Sequence, residues 1–536
     1  MSPGQEQEAA GGGEPAEVPR ARQMLERASW ASRAFARYDR ASVLRIAEAV
    51  TAVAESRAEH YGEWAVRETG FGVAEHKTTK NLLCSRGIFD SYRDSDLVSP
   101  RVDQDRKVVA IPRPAGVVFA LTPSTNPVST LYFKVLLALL TRNAVVISPH
   151  PFAKQCCSDA AHALGAAAVE AGAPDGIVQV VEEPSIPLIN AMMTDPRTDV
   201  ILATGGTGVV RSAYSSGNPA IGVGPGNVPV LVDSSADLPR AAERLADSKA
   251  FDNSILCTNE SVLLVEEAVA DRFVSLLGRV GVHLCSPEER DRVRALVFPG
   301  GRFDPSLVGL HASVLADKAG LRVAPGTRVL LAPFELPLPE EPLAHEKLLP
   351  VLGMARVGSA GRGIDAARAV LRIGGAGHSA AIHSTDADTV LSYGAAVPVL
   401  RVVVNVGSST GSSGFDTSLA PSMTIGTGFA GRSSLGGNLE PGDLVNWTRI
   451  AYNSDPSEVM PSFAGMSPWA SPEGPVPGYP IGSNGSAAAS APGADPLSRP
   501  ANRPPAPRAV RGGSDDEVRA ALRAVILEEL SSIRSS

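Results

Sequence analysis

The stretch 117–149, VVFALTPSTNPVSTLYFKVLLALLTRNAVVISP, decides the architecture. Val117–Leu121 and Asn143–Ile147 are short runs rich in β-branched residues and read as strands. Between them Val128–Leu140 reads as a helix, broken in its apolar character only by Lys134. Downstream the alternation continues, with a helix at Lys154–Gly172, a strand at Ile177–Val181, a helix at Ile186–Asp195 and a strand from Val200 to Ala203. Strands alternating with helices of this length predict a parallel sheet with helices on both faces. Upstream, Lys107–Ile111 (KVVAI) reads as a further strand, separated from Val117 by a turn, Pro-Arg-Pro-Ala-Gly. Arg20 to Gly70 carries apolar residues at helical spacing, as in Ala41–Ser56. A second α/β stretch begins near Asn227. It has strands at Pro229–Val232, Val262–Val265 and Val329–Leu331 and helices at Leu238–Phe251 and Val269–Gly281.

The 536 residues suggest two or three domains, and 44% hydrophobic residues are ample for burial. Lys and Arg total 49 against 57 for Asp and Glu, a net charge of −8. That balance argues against a nucleic-acid partner, which would call for a basic stripe. The segment Met1–Pro19 lacks the apolar core of a secretory signal, and no apolar run reaches the ~20 residues of a membrane span. A cytoplasmic location is expected. The five cysteines, Cys84, Cys156, Cys157, Cys257 and Cys285, are odd in number and lack CxxC spacing. Neither a disulfide framework nor a metal site is expected.

Residues with chemical capacity cluster at the ends of the expected strands. Cys257, in FDNSILCTNE, lies on a connection between a helix and the strand Ser261–Val265. Such a junction supplies access and a field that favours thiolate, although a lone cysteine also serves as a small buried hydrophobe. Cys84, Cys156, Cys157 and Cys285 are read as the latter. Thr204-Gly205-Gly206-Thr207-Gly208 follows a strand and opens a helix, where glycine lets backbone N–H groups approach a phosphate. Thr122-Pro123-Ser124-Thr125-Asn126-Pro127 follows another strand end, the usual edge for ligands. Asn126 there is equally a turn former.

Eight motifs occur in a recognisable order: TPSTNPVST (122–130), ISPHP (147–151), ATGGTG (203–208), AYSSGNPAIGVGPGN (213–227), FDNSILC (251–257), HEKLLPVL (345–352), GHSAAIH (377–383) and NVGSSTGSSG (405–414). Over roughly Val18 to Tyr452 the chain resembles the coenzyme-A-acylating branch of the aldehyde dehydrogenase superfamily, including the aldehyde dehydrogenase half of bifunctional aldehyde–alcohol dehydrogenases. The resemblance implies that Cys257 is the nucleophile, attacking an aldehyde to form a thiohemiacetal that passes hydride to NAD or NADP and becomes a thioester. It implies Asn126 as oxyanion donor beside the Cys257 N–H, and Glu346 as holder of the nicotinamide ribose. Thr122, Ser124, Ser148, Pro149 and His150 would line the cofactor site, with Ser148–His150 where hydrolysing relatives carry a lysine, and Gly205 and Gly206 beside the pyrophosphate. Hydrolytic relatives place a glutamate where this chain has Val223, in VGPGN. Valine moves no proton, so a thiol rather than water would cleave the thioester, and coenzyme A is the thiol implied. His378 either assists that thiol or ties down a loop.

The expected fold is α/β: a Rossmann-type cofactor domain (18–226, with a hairpin arm near 101–114), an α/β catalytic domain (227–420) and a return segment for oligomerisation (421–452). The resemblance implies a homo-oligomer built through the arm and the region near Pro421–Val445. Residues 1–17 read as a disordered leader, and 453–513, rich in Pro, Gly, Ala and Ser, as a linker. In 514–536, Ser514-Asp515-Asp516-Glu517 forms a capping box and Val518, Leu522, Val525, Ile526 and Ile533 share one helix face. That amphipathic helix either docks on its own domain or, through 514–533, binds shell proteins. In the second case it is similar to the encapsulation peptides of enzymes carried inside bacterial microcompartments. Rival readings are a hydrolytic dehydrogenase, an acyl-phosphate reductase and, from another class, an inactive shell-binding scaffold.

Overall fold

The structure is a computed structural model describing residues 17–480 apart from 473, 475 and 477. The expected helix at 514–533, the linker beyond 480 and residues 1–16 of the leader lie outside the described residues. The chain opens with the helices Glu17–Phe35, Arg40–Ser56 and Ala58–Thr69. The second begins where the Asp39 carboxylate accepts from Ser42 N at 2.8 Å, and the third ends where Gly70 turns left-handed at φ 73°.

Among the described residues fifteen strands follow in three sheets. β1 (Arg101–Asp103) and β2 (Val108–Pro114) form an antiparallel hairpin. β3 (Val117–Thr122), β4 (Ala144–Pro149), β5 (Val178–Val180), β6 (Val200–Thr204) and β7 (Ala220–Val223) make a five-stranded sheet ordered β5-β4-β3-β6-β7, parallel throughout. Every residue of β3 and β4 is buried, so both faces of this sheet are covered. The helix Pro127–Leu140, between β3 and β4, is buried on all sides. Its lone charge, Lys134, is satisfied by donating to the carbonyls of Leu121 (2.6 Å) on β3 and Leu202 (3.0 Å) on β6. Burial drops its ammonium to about 7.

The second sheet contains β8 (Val228–Val232), β9 (Glu260–Glu266), β10 (Val282–Leu284), β11 (Val329–Pro333), β12 (Val351–Val357), β13 (Gly377–His383) and β14 (Val399–Val404). Its order is β10-β11-β12-β9-β8-β13-β14, again all parallel. β15 (Val445–Ala451) returns to pair antiparallel with β2.

Two departures from the sequence reading have physical causes. Pro112 and Pro114 are not in a turn but in β2, opposite Trp447 and Val445. β1 covers only residues 108–110, which leaves the other side of β2 open where the prolines lack an N–H. Part of the expected linker is also anchored to the protein, at Trp469 and Tyr479. Trp469 Nε1 donates to the Val98 carbonyl at 2.9 Å, the Arg142 guanidinium sits 4.7 Å over its ring, and Tyr479 meets Trp30 edge-on at 5.9 Å. A few anchored aromatics offset the ordering cost of a segment otherwise poor in apolar residues. Among the described residues no helix is long and apolar enough to cross a membrane.

Candidate active site

In the five-stranded sheet the chain moves outward from β3 to β4 and β5, then returns to β6 on the other side. The crevice at the carboxyl ends of β3 and β6 is therefore the switch point of a doubly wound sheet, where ligands bind. The loops that emerge there are 122–126 after β3, 148–150 after β4, 204–208 after β6 and 223–226 after β7. They line a cavity of about 730 Å³. The wall is completed by Ile255–Thr258, Glu346 and Met423.

The cavity brings together Cys257, Asn126, Thr122, Ser124, Ser148, Pro149, His150, Gly205, Gly206 and Glu346 from segments more than 200 residues apart. Val223 shares the wall, and Glu346 is the one carboxylate among the lining residues. Of the five cysteines only Cys257 is partly accessible, the other four being buried. It follows a left-handed turn in which Asp252, Asn253 and Ser254 have φ of 48°, 52° and 64°. Such a run for non-glycine residues persists only when its surroundings hold it. Here Asn253 Nδ2 donates to the Gly309 carbonyl at 2.8 Å, and Thr258 Oγ1 to that of Ser409 at 2.7 Å.

The expected access is present, but the expected field is not. Burial and then the Glu346 charge push the Cys257 thiol up to about 12, with Arg401 pulling it back. Glu346 is itself pushed up to about 8 by burial, against the hydrogen bond it accepts from Gly226 N at 3.2 Å.

Asn126 precedes the helix Pro127–Leu140, but its side chain does not cap it. Its Oδ1 accepts from Lys80 Nζ, and its Nδ2 donates to Thr125 Oγ1 at 3.2 Å. Lys80, Lys77 and Asp252 are functional candidates that the sequence reading missed. Their signal was two lysines three apart on one helix face and an aspartate five residues before the cysteine. Glycine at 226 is required by close approach, since a Cβ there would lie 2.0 Å from the Cys257 carbonyl oxygen.

His378 is not brought to the cavity wall. It is fully buried on β13, its Nδ1 3.1 Å from Ser379 Oγ and its Nε2 without a partner. Burial and then Arg401 drive it down to about 3, so its ring is neutral. Away from the cavity, donor atoms of His283, Cys285 and Glu289 lie within 4.8 Å of one another. Glu289 is already engaged there, closing a capping box with Ser286.

The residues present fit a dinucleotide. Thr122 Oγ1 and Ser148 Oγ are buried in the cavity lining without hydrogen-bond partners. Gly206 opens the helix Thr207–Ser215 with no side-chain cap, and a Cβ on it would meet nothing within 4 Å. An anion can therefore approach the free N–H groups of that helix. His150 holds its Nδ1 against Phe152 N at 3.2 Å, and burial lowers its pKa, leaving a neutral ring at this edge.

The aldehyde dehydrogenase family model matches residues 2–281. The bifunctional aldehyde–alcohol dehydrogenase of Escherichia coli is 35% identical over 439 residues, 81% of this chain and 49% of that protein. The chain thus spans about half the length of the bifunctional relatives it matches. The crystal structure of an acetylating aldehyde dehydrogenase from Geobacillus thermoglucosidasius is 35% identical with a TM-score of 0.80, covering 83% of this chain and 98% of that one. A propionaldehyde dehydrogenase from the fucose utilisation bacterial microcompartment of Clostridium phytofermentans is 28% identical with a TM-score of 0.74, covering 81% and 97%.

Proposed function

Because the chain belongs to the aldehyde dehydrogenase family, we propose that it oxidises a short-chain aldehyde to acyl-coenzyme A, reversibly, through a thioester on Cys257. The observation that carries this reading is the composition of the cavity wall. Cys257 and Asn126 share it with Val223, and its single carboxylate is Glu346. Glu346 Oε1 accepts from the Gly226 N–H at 3.2 Å, and Val223, which moves no proton, stands where hydrolytic relatives carry the base that activates water. A thiol needs less activation and can cleave the thioester where water is slow. The similarity to the acetylating aldehyde dehydrogenase of Geobacillus thermoglucosidasius supports the same choice.

In this mechanism Cys257 Sγ, as thiolate, adds to the aldehyde carbon. Asn126 Nδ2 and the Cys257 backbone N–H face the oxygen, where charge develops. Thr122, Ser124, Ser148, Pro149, His150, Gly205 and Gly206 would hold NAD or NADP, with Glu346 on the nicotinamide ribose. When bound, the dinucleotide supplies the hydride acceptor. Coenzyme A then takes the acyl group from Cys257. We assign His378 no step. Residues 18–226 serve as the cofactor domain and 227–420 as the catalytic domain, with the β1–β2 arm and 421–452 as the surface for a second copy.

The tail beyond 480 belongs to the same proposal. The amphipathic pattern of 514–533 suits recruitment to a microcompartment shell, and the Clostridium phytofermentans structure, which comes from such a compartment, supports it. Residues 500–536 fused to a fluorescent protein should co-localise with co-expressed shells. A fusion that stays diffuse beside assembled shells refutes recruitment.

The activity is tested by following NADH with and without coenzyme A. Without it, a burst of about one equivalent per site should appear and stop, and coenzyme A should restore turnover. Sustained NADH and free acid without any thiol would establish the hydrolytic reading instead.

A further inference from the structure

The cavity wall behind Asn126 contains a buried charge network that the reaction as described does not use. Lys77 and Lys80, on the helix Ala74–Leu82, are 3% and 2% exposed, and Asp252 is fully buried. Lys80 Nζ donates both to Asn126 Oδ1 and to Asp252 Oδ2. Lys77 Nζ donates to the Thr125 carbonyl at 3.0 Å and to Asp252 Oδ2 at 3.3 Å. The other carboxylate oxygen, Asp252 Oδ1, accepts from Val73 N at 2.7 Å. The Asp252 backbone N–H donates to His76 Nδ1 at 2.9 Å, and the His76 ring stacks on Phe251.

Two consequences follow from donor and acceptor chemistry. An ammonium has no lone pair, so Lys80 can face only the oxygen of the Asn126 amide. The amide nitrogen is thereby turned the other way, and only one of its two hydrogens is occupied, by Thr125 Oγ1. A cation on a carbonyl oxygen also draws electron density from the amide, making its N–H a stronger donor. Asp252 stands on the left-handed turn that leads into Cys257. The chain Asn126–Lys80–Asp252 therefore joins the loop of the oxyanion donor to the loop of the nucleophile.

We propose that Lys80 is a positioning residue for this reaction, anchored by Asp252, that fixes and polarises the Asn126 amide toward the oxygen of the Cys257 adduct. Burying two lysines is costly unless their donors are met. The two ammonium groups share the single Asp252 carboxylate and place their other contacts on the Thr125 carbonyl and Asn126 Oδ1. Burial alone would raise the Asp252 carboxyl, but Lys77, Lys80 and the Val73 N–H hold it below its usual range. Lys77, lowered to about 8 by burial, pins the Thr125 carbonyl next to Asn126.

The inference rests on the thioester reading above, and the two fail separately in a double-mutant cycle. The reaction followed is acyl transfer from para-nitrophenyl acetate to Cys257, which develops an oxyanion at the same place and expels para-nitrophenolate, with no dinucleotide needed. NADH bursts with aldehyde are measured in parallel. Rates refer to the folded fraction, isolated by native separation and quantified as protein. Asn126→Ala should slow acylation by about 10²–10³-fold. Lys80→Met should slow it by roughly 10–100-fold, with the aldehyde KM within about threefold of wild type. In the Asn126→Ala background, Lys80→Met should cost no more than about a further twofold, since the amide it acts through is gone. Lys80→Arg, which keeps a cationic donor, should recover part of the loss.

If Lys80→Met does not fold, Asp252→Asn must show the same non-additivity with Asn126→Ala. An undiminished rate in Asn126→Ala would overturn the oxyanion assignment and the relay with it. A slow Asn126→Ala enzyme that Lys80→Met slows again by its full factor would overturn the relay alone. So would a Lys80→Met enzyme altered in KM but not in kcat.

Discussion

Gly226→Ala tests whether the nucleophile's backbone is held as tightly as the cavity implies. The added Cβ would stand 2.0 Å from the Cys257 carbonyl oxygen, 3.1 Å from its carbonyl carbon and 3.6 Å from Glu346 Oε1. A carbon and an oxygen do not approach within about 3 Å, so one backbone must retreat by about 1 Å. Neither side is loose. Asn227 Nδ2 is tied to the carbonyls of Ala344 (2.9 Å) and Val370 (3.2 Å), and Gly226 N to Glu346. The residue after Cys257 is tied through Thr258 Oγ1 to Ser409. The displacement is shared with the nucleophile. A misplacement of about 1 Å costs on the order of 100-fold in rate, or about 2.7 kcal/mol of barrier. Overpacking itself costs about 1–3 kcal/mol of stability, so the enzyme should still fold. The assay is single-turnover NADH formation with excess aldehyde, alongside circular dichroism and cofactor binding. Gly224→Ala, whose Cβ would meet nothing within 4 Å, should lose far less. A folded Gly226→Ala enzyme with a burst rate within about threefold of wild type would refute the reasoning.

The free enzyme's thiol lies near 12, so its thiolate fraction should grow about tenfold per pH unit. Iodoacetamide labelling of Cys257 should accelerate accordingly from pH 7 to 9, and a plateau below pH 8 would contradict the raised value. Glu346 is raised from the ordinary 4.5 to about 8, so the folded state favours its neutral form. That contribution is complete below pH 4.5 and lost as pH rises through 8. Glu346→Gln should therefore gain stability relative to wild type across that window, by up to a few kcal/mol, and a difference in Tm that does not vary with pH would count against the buried carboxyl. Trp469→Ala removes the bond to Val98 and the ring beneath Arg142. It should cost about 1–3 kcal/mol and lower Tm by several degrees, whereas an unchanged Tm would mean that 453–480 is only a linker.

The sequence by itself determined the alternation of strands and helices, because fully buried parallel strands such as β3 and β4 leave unbroken apolar runs that need no partner to be read. It also determined which loops meet. TPSTN, TGGTG and SPH each follow a strand, and parallel strands with short connections deliver their carboxyl ends to one edge. Tertiary structure alone decided what those residues experience. Cys257 looked like a thiolate site, yet its thiol is set by burial and by Glu346, 89 positions later. Asn126 was equally a turn former until Lys80, on a distant helix, claimed its amide oxygen. Pro112 and Pro114 looked like a turn until β15 arrived from more than 300 residues away to pair with them. Trp469 anchored one point of an expected linker to the fold. Periodicity is a local property, visible wherever neighbours in the chain share an environment. Desolvation, charge and strand pairing are sums over neighbours in space, and only the folded chain supplies those.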